Sequence, residues 1–268
     1  MYVSDELVFS ELQKTGCSHI RRVLETHFDG HKAGKHNAPP LWVMNDARLK
    51  IGSVRDPWDW YVSLFTYGCG QHGQLWHTTT QRDFSRLGWG RYPLRALRNY
   101  ANLLKMDTEG WARLYRDPSD VGAFREWLAR TQDPAWFMDI QEELSFHPAA
   151  RVYGLMTTRF IKVFCRRSRQ LLERRGLTTA QIDDACFVDI FVRNEDMEVG
   201  LASIFAQLGR PELDADNLRA LERTNTSNRT RDWRRFYDDA SRDLVARRES
   251  YLINRFGYAA PPRLGDDP

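Results

Sequence analysis

Leu7-Val8-Phe9-Ser10-Glu11-Leu12-Gln13-Lys14-Thr15-Gly16-Cys17-Ser18 carries three signals in one short stretch. Leu7 to Leu12 reads as a strand. Gln13 to Ser18 is small and polar and reads as a tight loop. Ile20, Val23, Leu24 and Phe28 then recur at helical spacing, so a helix starts near Ser18. Strand, loop and helix in that order make one α/β unit. The start of such a helix exposes unpaired N–H groups and the positive end of the helix dipole, which suits an anion. Lys14 adds a mobile positive charge. Gly16 allows positive φ or close approach, and Thr15 and Ser18 add hydroxyls. Taken alone, the stretch reads more simply as an ordinary turn with a surface lysine.

Working outward, His31 to Pro40 is polar and reads as a loop. Leu49 to Val54 reads as a second strand. It runs into Arg55-Asp56-Pro57, where Pro57 can open a helix whose apolar face is Trp58, Val62 and Phe65. Arg55 thus stands at the carboxyl end of a strand, where open α/β sheets bind ligands. Ser63 follows about two helical turns later, and an Arg fork and a hydroxyl can share one phosphate. The plainer reading is a turn held by an Arg–Asp pair.

From about 70 to 147 strand signal is weak. Helices are expected near Leu94–Leu104 and Val121–Leu128, and Trp76, Trp89, Trp111, Trp127 and Trp136 all fall here. A third strand is expected over Cys186–Val192. A helix follows with Leu201, Ile204, Phe205 and Leu208 on one side and Gly209 near its end. Another is expected over Ser241–Phe256, closed by Gly257. The fold class read from this order is α/β, with a mostly parallel central sheet flanked by helices.

Composition narrows the classes. The chain has 268 residues and a net charge of only +3. Its cations are mostly Arg, whose planar fork suits phosphate and sulfate oxygens. Cys17, Cys69, Cys165 and Cys186 show no metal or redox spacing and read as reduced thiols. No run approaches the ~20 apolar residues of a membrane span. No secretory leader is visible, so the cytoplasm is the expected location.

Two motifs together resemble one family. Leu12-Gln13-Lys14-Thr15-Gly16-Cys17-Ser18 is similar to the 5′-phosphosulfate loop of sulfotransferases that use 3′-phosphoadenosine 5′-phosphosulfate (PAPS). Ile51-Gly52-Ser53-Val54-Arg55-Asp56-Pro57-Trp58-Asp59-Trp60-Tyr61-Val62-Ser63 is similar to their strand–loop–helix for the 3′-phosphate. Tyr153-Gly154-Leu155-Met156-Thr157, Phe191-Val192-Arg193-Asn194-Glu195-Asp196-Met197 and Arg231-Asp232-Trp233-Arg234-Arg235-Phe236-Tyr237 resemble bacterial members of the carbohydrate-type branch. The chain departs at Gln13, where the family usually has Pro, and at Glu11, where this branch often has His.

The resemblance implies a single domain over 1–268 with a P-loop-type three-layer fold. About 70–147 would be a helical insertion covering the acceptor side. It implies transfer of a sulfuryl group from PAPS to an acceptor hydroxyl of a carbohydrate or small metabolite, releasing PAP, with no metal. Lys14, Thr15, Gly16, Cys17, Ser18 and His19 would hold the 5′ end, and Arg55, Ser63 and Arg229 the 3′-phosphate. Lys14 would also act on the leaving oxygen. His36, or else His31, would be the general base, since Lys35-His36 falls where cytosolic members place theirs. Glu11 and Asp46 are alternative carboxylate bases. Trp76, Trp89 and Trp111 are candidates to stack on an acceptor ring.

Two other classes stay open. One is a nucleotide-dependent phosphotransferase, although the nucleotide-kinase pattern is broken: Lys precedes Gly and the first Gly is missing. The other is a catalytically inactive polyanion or nucleic-acid binder. It would use Cys165-Arg166-Arg167-Ser168-Arg169-Gln170 with Arg174-Arg175, a cluster that reads more simply as a solvated face. Nucleic acid is not the expected partner.

Overall fold

A computed structural model describes residues 1–36, 39–84, 93–140, 147–220 and 232–263. The chain forms two compact units. One comprises Met1–Asp56 and Met156–Asn228, the other Pro57–Leu155 and Arg229–Pro268. The first holds the sheet, and the second is helical among its described residues.

In the sheet unit the strands are β1 (Tyr2–Ser4), β2 (Leu7–Phe9), β3 (Gly30–Lys32), β4 (Leu49–Val54) and β5 (Ile190–Arg193). Their order across the sheet is β3-β1-β2-β4-β5. β2, β4 and β5 are mutually parallel neighbours, with Phe9 opposite Ile51 and Ile51 opposite Ile190. β1 runs antiparallel to β2 and β3, so the sheet is mixed, with a parallel centre. The fold class is therefore α/β, as the order of elements predicts.

Alternation along the strands separates two faces. Leu7, Phe9, Ile51 and Val192 point one way. They share a core with Ile20, Val23 and Leu24 of the helix Cys17–His27 and with Leu201, Ile204 and Phe205 of the helix Met197–Gln207. The other face takes Phe191, which packs on Phe160 and Phe164 of the helix Leu155–Phe164 at ring distances of 5.5 and 5.2 Å. Gly52 makes room for this. A Cβ there would stand 2.6 Å from the Phe191 ring and 3.0 Å from the Phe164 ring. Helices thus cover both faces of the sheet.

Four strand and helix expectations differ in detail. β2 stops at Phe9, although Ser10 N–H still bonds the Ile51 carbonyl at 2.9 Å. β1 and β3 are unexpected: each has three residues, and β3 is exposed throughout, so no alternation marks it. The third strand starts at Ile190, and Cys186 instead makes an isolated antiparallel bridge with Cys165. The expected helix Ser241–Phe256 is two helices, Asp239–Arg248 and Ser250–Phe256, because Glu249 leaves helical geometry at φ −108°, ψ 18°.

The helical unit comprises Pro57–Leu155 and Arg229–Pro268. Its helix Pro57–Cys69 is buried on nearly every side, with Trp58, Trp60, Tyr61 and Phe65 wholly covered. Phe65 meets Phe124 and Trp127 of the helix Val121–Gln132, each at 5.5 Å. Trp127 donates its indole N–H to the Tyr115 hydroxyl at 2.6 Å, and Trp111 donates to Asp139 at 2.9 Å. These rings are core, which removes Trp111 as an acceptor platform. Among the described residues no helix is long and apolar enough to cross a membrane.

Candidate active site

Three parallel strands end side by side, and each ends in a polar loop. β2 runs into residues 10–16, β4 into Arg55-Asp56, and β5 into Asn194-Glu195-Asp196. In parallel sheets ligands sit at this edge.

The first loop is built tightly. Thr15 is fully buried. Its hydroxyl bonds the Leu12 carbonyl at 2.7 Å and the Ser53 hydroxyl, on β4, at 2.6 Å. Lys14 and Gly16 both take positive φ, 63° and 76°. Gly16 is required there: a Cβ would also run into the Met197 methyl and stand 2.7 Å from the Asn194 amide. Gly16 caps the helix Cys17–His27, and its carbonyl accepts from His19 N–H at 3.0 Å and Ile20 N–H at 3.1 Å.

That pattern leaves a run of donors. Among the described residues the backbone N–H groups of Thr15, Gly16, Cys17 and Ser18 give no hydrogen bond to a protein acceptor. Successive donors around left-handed residues at the start of an eleven-residue helix are an arrangement that can receive an anion. His19, grouped with these residues by sequence, is different: it is buried and its N–H is already given to Gly16. Burial raises the Cys17 thiol pKa, so this residue offers its backbone and not a thiolate.

Arg55 is 8% exposed at the end of β4, and its Nη1 donates to the Lys14 carbonyl at 3.0 Å. The two sequence motifs, far apart in the chain, are therefore joined by a hydrogen bond. Beyond them, Glu195 accepts the Asp56 N–H at 2.7 Å, so the β5 loop belongs to the same edge.

His36 is brought in and His31 is not. His36 Nδ1 lies 3.0 Å from the Glu11 carbonyl. A carbonyl only accepts, so Nδ1 carries the hydrogen and Nε2 the lone pair. Burial lowers the His36 pKa to about 4. The Glu11 carbonyl bond opposes this, and the positive charges of Lys35 and Arg159 add to it. His31 sits in the outer strand β3, exposed and opposite Val3, two strands from β2. The alternative carboxylates are committed elsewhere. Glu11 is buried against Arg21 at 2.8 Å, and Asp46 pairs with Arg48 before β4 begins.

Ser63 is buried in the helix Pro57–Cys69 of the helical unit. Arg229 and Trp89 lie outside the described residues. Sequence reasoning missed Ser53, which anchors Thr15, and Arg159, a buried cation whose charge reaches His36. It also gave no role to Asn194 and Met197, which wall Gly16. Ser53 and the last pair carried a sequence signal, in the segments Ile51 to Ser63 and Phe191 to Met197, and Arg159 carried none.

No protein-family model matches this chain, and neither a curated protein nor a solved structure matches it.

Proposed function

We propose that the chain is a sulfotransferase that moves a sulfuryl group from PAPS to an acceptor hydroxyl, with the P-loop-type sulfotransferase fold. The observation that carries this reading is the Arg55–Lys14 hydrogen bond beside four unreturned backbone donors at the carboxyl edge of adjacent parallel strands.

In this reading the N–H groups of Thr15, Gly16, Cys17 and Ser18 hold the 5′-phosphate. Lys14 neutralises the charge that grows on the bridging oxygen as the sulfur–oxygen bond breaks and PAP leaves with the electron pair. Arg55 binds the 3′-phosphate. His36 Nε2 accepts the proton of the acceptor hydroxyl as the new sulfur–oxygen bond forms. With a pKa near 4, the ring is neutral at physiological pH, and the acid limb of turnover falls near pH 4.

The phosphotransferase reading is weaker. The hydroxyl after the loop lysine, which a nucleotide kinase places on Mg²⁺, is spent here on Leu12 and Ser53.

Calorimetry with PAP, AMP and ATP–Mg²⁺ tests the proposal. PAP should bind at least about tenfold more tightly than AMP, a difference of about 1.4 kcal/mol. Folded protein that ignores PAP, or prefers ATP–Mg²⁺, would overturn it.

A further inference from the structure

Four cysteines scattered along the chain have no redox spacing, yet the fold sets two of them face to face. Cys165 follows the helix Leu155–Phe164, and Cys186 precedes β5; the two form an isolated antiparallel bridge. The hydrogen bonds around them define the register. Arg166 N–H donates to the Ala185 carbonyl at 2.8 Å, and Phe187 N–H donates to the Phe164 carbonyl at 3.0 Å. Bonds on both sides and none between make Cys165 and Cys186 a non-hydrogen-bonded pair. In such pairs the Cα atoms are about 4.5 Å apart and the side chains approach most closely. That separation lies within the range a disulfide spans without backbone movement.

We propose that Cys165 and Cys186 form a reversible disulfide, a redox-dependent staple across the base of the segment 166–185. Cys186 is partly exposed and Cys165 is buried. Cys186 therefore reacts first. Its thiolate attacks a low-molecular-weight disulfide such as oxidised glutathione, releasing one thiol and leaving a mixed disulfide. The Cys165 thiolate then attacks the Cys186 sulfur and displaces the second thiol. Two protein thiols are oxidised, the small disulfide is reduced to two thiols, and the two protons lost by the protein thiols end on the released small thiolates.

The other cysteines are poor competitors. Burial raises Cys17, and burial together with Asp117 pushes Cys69 up to about 12, so neither supplies much thiolate. The staple lies at the end of the sheet where β5 begins, away from the Lys14 loop. It ties the end of the helix that carries Phe160 and Phe164 to the lead-in of the strand that carries Phe191.

The test uses the full chain in excess oxidised glutathione under native conditions, followed by thiol titration, peptide mapping and thermal unfolding. Two of the four thiols should disappear, and one peptide should join Cys165 to Cys186. The Tm should rise by about 5 °C or more and return with dithiothreitol. Cys165→Val should stop at the mixed disulfide on Cys186. Should Cys165→Val fail to fold, Cys186→Ser serves instead and should leave Cys165 unmodified. Glutathione retained on Cys186 of the wild type, a different pairing, or four titratable thiols after oxidation would each overturn the proposal.

Discussion

The carboxyl edge of the sheet and the heart of the helical unit both bury polar groups, and they treat them in opposite ways. In the helical unit the polar groups answer one another. Tyr61 donates to the Glu249 carboxylate. It accepts from Gln132 Nε2 at 2.7 Å and from Leu155 N–H at 3.1 Å, and Arg248 donates to Gln132 at 3.2 Å. Tyr61 and Glu249 are wholly buried, and Tyr61 keeps its proton because burial and the adjacent carboxylate raise its pKa. At the sheet edge the Thr15 hydroxyl is equally buried and bonded, but the backbone donors beside it meet no acceptor among the described residues. A closed polar network specifies packing. In the proposed reading, the donors of the Thr15 loop are left for the phosphate of the donor substrate.

Substitutions at the two places should therefore fail differently. The largest effect is expected for Lys14→Ala, which should lower turnover roughly 10²–10³-fold, by analogy with loss of one oxyanion donor, while the unfolding curve barely moves. Normal turnover by this variant would remove Lys14 from the chemistry. Glu249→Ala should do the reverse. It strips the acceptor from a buried hydroxyl and should cost about 2–4 kcal/mol in urea unfolding, with PAP affinity retained. A Glu249→Ala protein as stable as wild type would mean that the network contributes no packing energy.

Arg55→Ala blurs the contrast, since Arg55 serves both the loop and the proposed 3′-phosphate. PAP affinity should weaken roughly 10- to 100-fold. A larger loss of folding stability than of affinity would recast Arg55 as a loop brace.

The smallest effect tests His36. Its folded pKa is about 4, below the ordinary histidine value, so between those values the unfolded chain takes a proton that the folded chain refuses. The group therefore costs stability as pH falls from about 6.5 towards 4. His36→Asn tolerates the positive φ of 56° and should flatten that part of the pH–stability curve. Parallel curves for the two proteins would show a solvent-like imidazole.

Much of this was legible in the chain. The strand–loop–helix at Leu7–Ser18 and the strand Leu49–Val54 before Arg55 are local patterns, and local periodicity reports them well. The helix end at Gly257 follows from short-range chemistry too. Strand β3 was not legible, because an exposed three-residue edge strand is made by its neighbour and not by its own side chains.

The amino-acid sequence by itself determined the α/β class, the loop-to-helix turn at Lys14-Thr15-Gly16-Cys17-Ser18 and the position of Arg55 at a strand end. Periodicity, glycine and charge act within a few residues of where they stand. Only the tertiary structure decided that Arg55 bonds the Lys14 carbonyl, that His36 and not His31 reaches Glu11, and that Cys165 faces Cys186. Those three pairings depend on strand order and register. These are set by burial of Leu7, Phe9, Ile51 and Val192 against two helices, a global packing solution that no local pattern encodes.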